Sequence, residues 1–257
     1  MFKILTLSHV PLVLLLLFSS VCHGLIDIGK YFKICDRNSP EVNECLVDAT
    51  QDGIAAMIDG IEELGVPPID PYFQDIIKVE YKNNQISASM IMRDIYVEGL
   101  KEAKIHDTRL RADDDKFHLE IDVTAPRVFV KGVYIGEGRY NSLQIKAKGA
   151  FNTTMSDLVY TWKLDGVPEK RDNETYMRIK SFYMRPDLGN LNAHLSNDNP
   201  ESKAIIDIAN NFANQNWRPL YRELLPFAQS NWNKIGVRIA NKIFLKIPYD
   251  QLFPANL

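Results

Sequence analysis

Lys116-Phe117-His118-Leu119-Glu120-Ile121-Asp122-Val123-Thr124 alternates polar and apolar side chains without a break. Successive side chains of a strand point to opposite faces, so this stretch predicts a strand with one dry and one wet face. Outward from it the same period of two returns. It runs through Ile86, Ala88, Met90 and Met92, then Leu143, Ile145 and Ala147, then Leu158, Tyr160, Trp162 and Leu164. Met177 and Ile179 continue it, with Tyr183 beyond Ser181. Polar turns such as Asp113-Asp114-Asp115 and residues 187–190 separate the runs, which predicts an antiparallel meander and not parallel strands joined by crossover helices.

Helical spacing brackets the strands. Ser39 reads as the cap of a helix with Pro40 at its first position and Glu41 and Glu44 near its positive end. Val42, Leu46, Ala49, Gly53, Met57, Ile61 and Leu64 then form one stripe that stops at Gly65, before Pro67 and Pro68. From Glu201 onward Ile205, Ile208, Phe212, Leu220, Leu224, Phe227, Ile235, Ile239 and Ile243 form another. A continuous helix there would hold about 42 residues and extend roughly 63 Å, bent at Pro219 and Pro226. Its partner is the dry face of the meander, so the sheet is expected to curl around it. The fold class is therefore α+β: a long C-terminal helix wrapped by a highly curved antiparallel sheet in one elongated domain, whose interior is either a dry elongated cavity suited to an apolar ligand or plain packed core.

Lys and Arg number 30 against 33 Asp and Glu, a net charge of −3 with no dense basic cluster, which argues against nucleic acid as a partner. Met1-Phe2-Lys3, the apolar run from Leu12 to Phe18 and the small residues Ser20, Cys22 and Gly24 read as a secretory signal peptide over 1–24, leaving 25–257 as an extracellular domain. Ser8, His9 and Pro11 interrupt that run, so no stable membrane insertion is expected. Cys35 and Cys45 remain and permit one bridge, with a stabilisation of roughly 3 kcal/mol. Asn152 and Asn173 begin glycosylation sequons.

No motif demands catalysis. The chain has no G-x-S-x-G elbow. His106, His118 and His194 lack zinc spacing. Gly136-Glu137-Gly138 reads as a turn, and Asp113-Asp114-Asp115 lacks the alternating ligands of a calcium loop. The expectation is a non-enzyme without metal or cofactor. Tyr134, Tyr160, Trp162 and Tyr183 join large apolar area to one donor each, suited to orienting a lipid that carries an epoxide, ester or carbonyl. The candidate ligand-lining residues are Phe117, Leu119, Ile121, Val123, Val128, Val130, Tyr134, Ile145, Tyr160, Trp162, Met177, Ile179, Tyr183, Phe212, Leu220, Leu224 and Phe227.

Three segments in order, Cys35-Asp36-Arg37 with Asn43-Glu44-Cys45-Leu46, then Gly60 to Pro71, then Gly132-Val133-Tyr134-Ile135-Gly136, resemble the insect takeout and juvenile hormone-binding family of tubular lipid-binding proteins. Trp217-Arg218-Pro219-Leu220, Ile243 to Pro248 and Leu252-Phe253-Pro254 extend the resemblance to the end of the chain. It implies a secreted carrier without catalytic residues, a Cys35–Cys45 disulfide, and a tunnel for a juvenile hormone-like terpenoid, a fatty acid or another lipid. A monomer that meets a cell-surface receptor is expected; the competing class is a secreted interaction protein with a solid core. Two departures alter the wall near their strands: Ala147-Lys148-Gly149-Ala150-Phe151 replaces a usual Pro-x-x-Gly-x-Gly, and Leu191-Asn192-Ala193 a usual Leu-Phe-Asn.

Overall fold

The computed structural model describes residues 26–82, 86–112, 115–140 and 143–257. The expected leader and Asp113-Asp114 of the expected turn lie outside them. Seven antiparallel strands form one sheet: β1 Tyr72–Lys82, β2 Ile86–Glu98, β3 Lys104–Ala112, β4 Phe117–Tyr140, β5 Leu143–Arg171, β6 Glu174–Tyr183 and β7 Asn190–Leu195. The order is β1-β2-β4-β5-β6, with β3 also on β4 and β7 also on β5. The helices are α1 Val42–Met57, α2 Lys203–Gln215, α3 Trp217–Phe244 and the short α4 Tyr249–Leu252.

The two long central strands divide the curled sheet into halves. In the proximal half β3 and β6 flank β4 and β5; in the distal half β1, β2 and β7 do. Between the halves stand Pro126, which has no N–H to give a neighbour, and Asp157 at φ 53°. Across that point the phase shifts. Odd positions from Phe117 to Ala125 are buried, then the even positions Val128 and Tyr134.

Amide side chains finish the sheet's open edges. Asn210 of α2 accepts from the Leu195 N–H and donates to the Leu195 carbonyl, both at 2.9 Å. Asn214 does the same for Ala193 at 2.8 and 2.9 Å. Residues four apart on a helix rise about 6.0 Å and residues two apart on a strand about 6.8 Å, so the two rows stay in step. Asn241 of α3 treats Ile179 of β6 likewise, and Gln51 of α1 bonds the Ala103 carbonyl and the Ile105 N–H beside β3. Exposed edge groups that would recruit foreign strands are thereby occupied.

Several expectations need correction. Val42 begins α1, because Ser39 spends its hydroxyl and its carbonyl on a turn that accepts from Glu41 and Val42. The helix ends at Met57, since the chain reverses at Gly60 (φ 84°), where a Cβ would lie 2.8 Å from the Val66 carbonyl oxygen. Ile61 and Leu64 instead join Val66 and Ile247 in a separate cluster. The C-terminal helix breaks at Asn216 and not at Pro219, which sits in the first turn of α3 where its missing N–H has no intrahelical partner to lose. Pro226 lies inside α3. The inward face of α2 is Ile206 and Asn210, not the Ile205–Ile208–Phe212 stripe, which lies on the far side of the helix. Tyr183 turns outward because β6 carries an extra residue opposite Asp165–Gly166, and one residue of slip exchanges the faces.

Cys35 and Cys45 form a disulfide, their Cα atoms 5.8 Å apart, which ties the N-terminal lead to α1. Cys35→Ala with Cys45→Ala is expected to lose about 3 kcal/mol in denaturant unfolding.

On the wet face of the proximal half, Arg109 bonds Asp122 at 2.7 Å and Glu120 at 3.1 Å, and Lys163 bonds Glu120 at 2.8 Å. Lys163 then Arg109 hold Glu120 at about 2, and Arg109 then Thr161 hold Asp122 at about 2. These carboxyls titrate lower folded than unfolded. Their contribution is therefore complete above about pH 4.5 and is lost as pH falls toward 2, at roughly 1 kcal/mol each after solvent screening. Thermal melts should fall across that window, and Glu120→Gln with Asp122→Asn should flatten the fall.

Candidate functional site

The two halves of the dry face differ. In the proximal half Phe117, Leu119, Ile121 and Val123 lie beside Tyr160, Leu164, Met177 and Ile179, and all are buried. Leu46 and Ala49 of α1 and Val237, Ala240 and Phe244 of α3 close over them, and Phe117 meets the rings of Phe244, Tyr249 and Phe253. This half is core covered by helices.

In the distal half Ile95, Tyr134 and Phe151 are buried among the partly buried Ile77, Met90, Met92, Val130, Ala147 and Leu195. Every member of that cluster stands on a strand; α2 lies along its β7 edge, where Asn210 bonds Leu195, but among the described residues no helix side chain belongs to this apolar wall. Gly136 and Ala147 pair across β4 and β5 in the row Val79, Met90, Gly136, Ala147. A Cβ on Gly136 would have its nearest neighbour at 3.5 Å, whereas one on Gly132 would strike the Phe151 ring at 2.9 Å and one on Gly149 the Ser196 carbonyl at 2.4 Å. Gly136 and Ala147 thus leave a shallow floor, and Met90 and Met92 flank it with side chains that adapt to irregular shapes.

Opposite stands α3. At one end Arg218 donates to the Gly189 carbonyl and Tyr221 to that of Pro186; farther along, Gly236 lies against the Phe182 ring. Near the other end Arg238 donates to the Tyr72 hydroxyl of β1 at 2.7 Å. The helix therefore stretches from the β7 side of the sheet to the β1 side. Leu220 precedes Arg238 by about five turns at 3.6 residues each, so the two share a helix side, with Leu224, Phe227 and Ile235 between them. Leu224 is 53% exposed and Leu220 and Phe227 half-buried.

Of the candidate lining residues, Val130 and Tyr134 belong to the distal wall, Val128 is buried at its proximal end, and the side chain of Ile145 lies outside the described ones. Phe117, Leu119, Ile121, Val123, Tyr160, Met177 and Ile179 are core, with Trp162 half-buried against it. Tyr183 and Phe212 are 42% and 58% exposed and belong to neither wall. Ile77, Met92, Ile95, Phe151 and Leu195 were not among the candidates, although the alternation through Met90 and Met92 had marked that strand. Two of the four expected orienting donors are already engaged. The Tyr134 hydroxyl donates to the Ser196 carbonyl at 2.8 Å, and Trp162 Nε1 donates to Met184 Sδ at 3.3 Å. Burial pushes the Tyr160 hydroxyl's pKa well up.

Two open depressions, of about 680 and 810 Å³, are lined by Glu62, Glu63 and Lys246 and by Asp70, Lys101 and Arg127, away from the apolar wall. Among the described residues no group of three or more His, Cys, Asp and Glu could hold a metal, and no helix is long and apolar enough to cross a membrane.

Residues 12–254 match the family model described as haemolymph juvenile hormone binding protein. The circadian clock-controlled protein daywake of Drosophila yakuba is 22% identical over 98% of this chain and 99% of its own length. Daywake of Drosophila melanogaster is 23% identical over 81% and 83%. The crystal structure of takeout 1 from Epiphyas postvittana has the same fold, with a TM-score of 0.69 at 20% identity, over 88% of this chain and all of that one.

Proposed function

We propose that this chain, which belongs to the haemolymph juvenile hormone binding protein family, carries an elongated apolar ligand between its distal sheet wall and the Leu220–Leu224–Phe227 side of α3. The observation that carries this reading is the all-strand cluster around Ile95, Tyr134 and Phe151, an apolar surface to which no helix side chain among the described residues belongs. Burying a ligand there gains roughly 25 cal/mol per Å² of apolar surface and needs no covalent step. The ligand class is a terpenoid, fatty acid or similar lipid, held in a tunnel that the ligand itself completes. The family's description, haemolymph juvenile hormone binding protein, supports that class. The apolar run from Leu12 to Phe18, read as part of a leader, and the disulfide support secretion. Asn173, in the turn after β5, and Asn152, exposed on β5, are the proposed glycan sites.

Native mass spectrometry of the secreted protein should find a co-purified lipid, and delipidated protein should bind a fluorescent fatty probe at micromolar concentration. A delipidated protein that binds no apolar compound would overturn the reading. Leu224→Asp should weaken probe binding about tenfold or more while the melting temperature changes by no more than a few degrees, because that side chain is half-exposed without ligand.

A further inference from the structure

The C-terminal half of α3 and the residues just after it carry Lys234, Arg238, Lys242 and Lys246 at intervals of four, and no acidic residue lies between Glu223 and Asp250. Cations in a helix's last turn complement its dipole, which accounts for Lys242. Lys246 donates to the Glu63 carbonyl. Arg238 fits neither role, since it lies more than a turn before Phe244 and turns toward β1. Its Nη2 donates to the hydroxyl of Tyr72, Tyr72 donates to Gln74 Oε1 at 3.2 Å, and Gln74 donates to the Ile76 carbonyl at 3.2 Å. Tyr72 is 6% exposed and pairs with Val97, and Gln74 pairs with Ile95 of the distal apolar cluster. A guanidinium is thus pinned at one end of the apolar wall by a relay that starts on the wall's own strand.

A guanidinium offers five N–H donors, and Tyr72 takes one. No ion pair of Arg238 with a carboxylate is found among the described residues. Glu63 accepts from the Tyr31 hydroxyl, and Asp70 accepts from the Gly99 and Lys101 N–H groups. We propose that Arg238 receives the carboxylate of a single-chain acidic lipid whose tail lies along the distal wall, an assignment that rests on the carrier reading. The planar fork of arginine matches a carboxylate with two parallel hydrogen bonds, whereas an ester or alcohol offers one neutral acceptor. An exposed cation at the end of a dry surface is also the arrangement an amphiphile needs, its head toward water and its chain away from it.

The test is calorimetric titration of the delipidated full chain at pH 7.4 with hexadecanoic acid and with its methyl ester. The acid should bind about tenfold tighter or more. Arg238→Leu should remove that difference by weakening the acid alone, and Arg238→Lys should restore part of it; Arg238→Gln replaces the leucine variant if the latter does not fold. Equal affinities in the wild type, or equal weakening of both ligands in Arg238→Leu, would overturn the assignment. If neither lipid binds the wild type, the carrier reading itself fails, a result distinct from equal binding of the two.

Discussion

Ala147→Phe combined with Gly136→Leu is expected to weaken binding of an apolar probe about tenfold or more while the melting temperature changes by only a few degrees. These two positions form the shallow floor between Met90 and the rest of the distal wall. A Cβ at Gly136 meets nothing closer than 3.5 Å, an ordinary contact with Ser89 and the flexible Met90 side chain, and Ala147 is only partly buried, so larger side chains start without a backbone clash. They would occupy the volume a ligand needs. If about 60 Å² of ligand contact is lost at roughly 25 cal/mol per Å², the cost is about 1.5 kcal/mol, or tenfold in affinity. Probe fluorescence beside a thermal melt separates the two effects. Unchanged affinity with both floor positions filled would place the ligand elsewhere.

The second large effect inverts the usual rule that apolar positions matter most. Asn210→Leu should cost about 2–4 kcal/mol, because it strips the partners from both the N–H and the carbonyl of Leu195 in a buried setting. Phe212→Ser, one half-turn away, should change stability by less than about 0.5 kcal/mol, because Phe212 is 58% exposed. Denaturant unfolding of the two variants checks the order. A Phe212→Ser variant less stable than Asn210→Leu would mean that α2 is packed on its apolar side.

That inversion shows where the sequence is legible and where it is not. The dry faces of Phe117 to Val123 and of Leu158 to Leu164 follow from alternation alone, because each run keeps one register through its strand. The strand phase fails where the chain inserts a residue: Tyr183 follows Met177 and Ile179 at an even spacing, yet one extra residue in β6 turns it outward. The inward side of α2 fails for another reason. The apolar stripe draws attention to Ile205, Ile208 and Phe212, since a helical wheel cannot show that the amides of Asn210 and Asn214 stand in for a missing strand. The break at Asn216 is equally quiet, while the visible prolines at 219 and 226 are accommodated inside α3. As for the site, alternation finds the distal strands but cannot say which dry half is filled by helices. Phe117 and Met90 look alike in sequence, and only the placement of α1 and α3 makes one core and the other wall.

The account's central claim is that the distal wall and the Leu220–Phe227 side of α3 face one ligand. Photo-crosslinking delipidated protein with an aliphatic diazirine fatty acid, followed by mass-spectrometric mapping, tests it most directly. Adducts should fall on peptides that carry Ile77, Met90, Met92 and Ala147 and on the peptide with Leu224 and Phe227. Adducts confined to Ile205, Ile208 and Phe212 of α2, or spread over the wet face of the sheet, would contradict it.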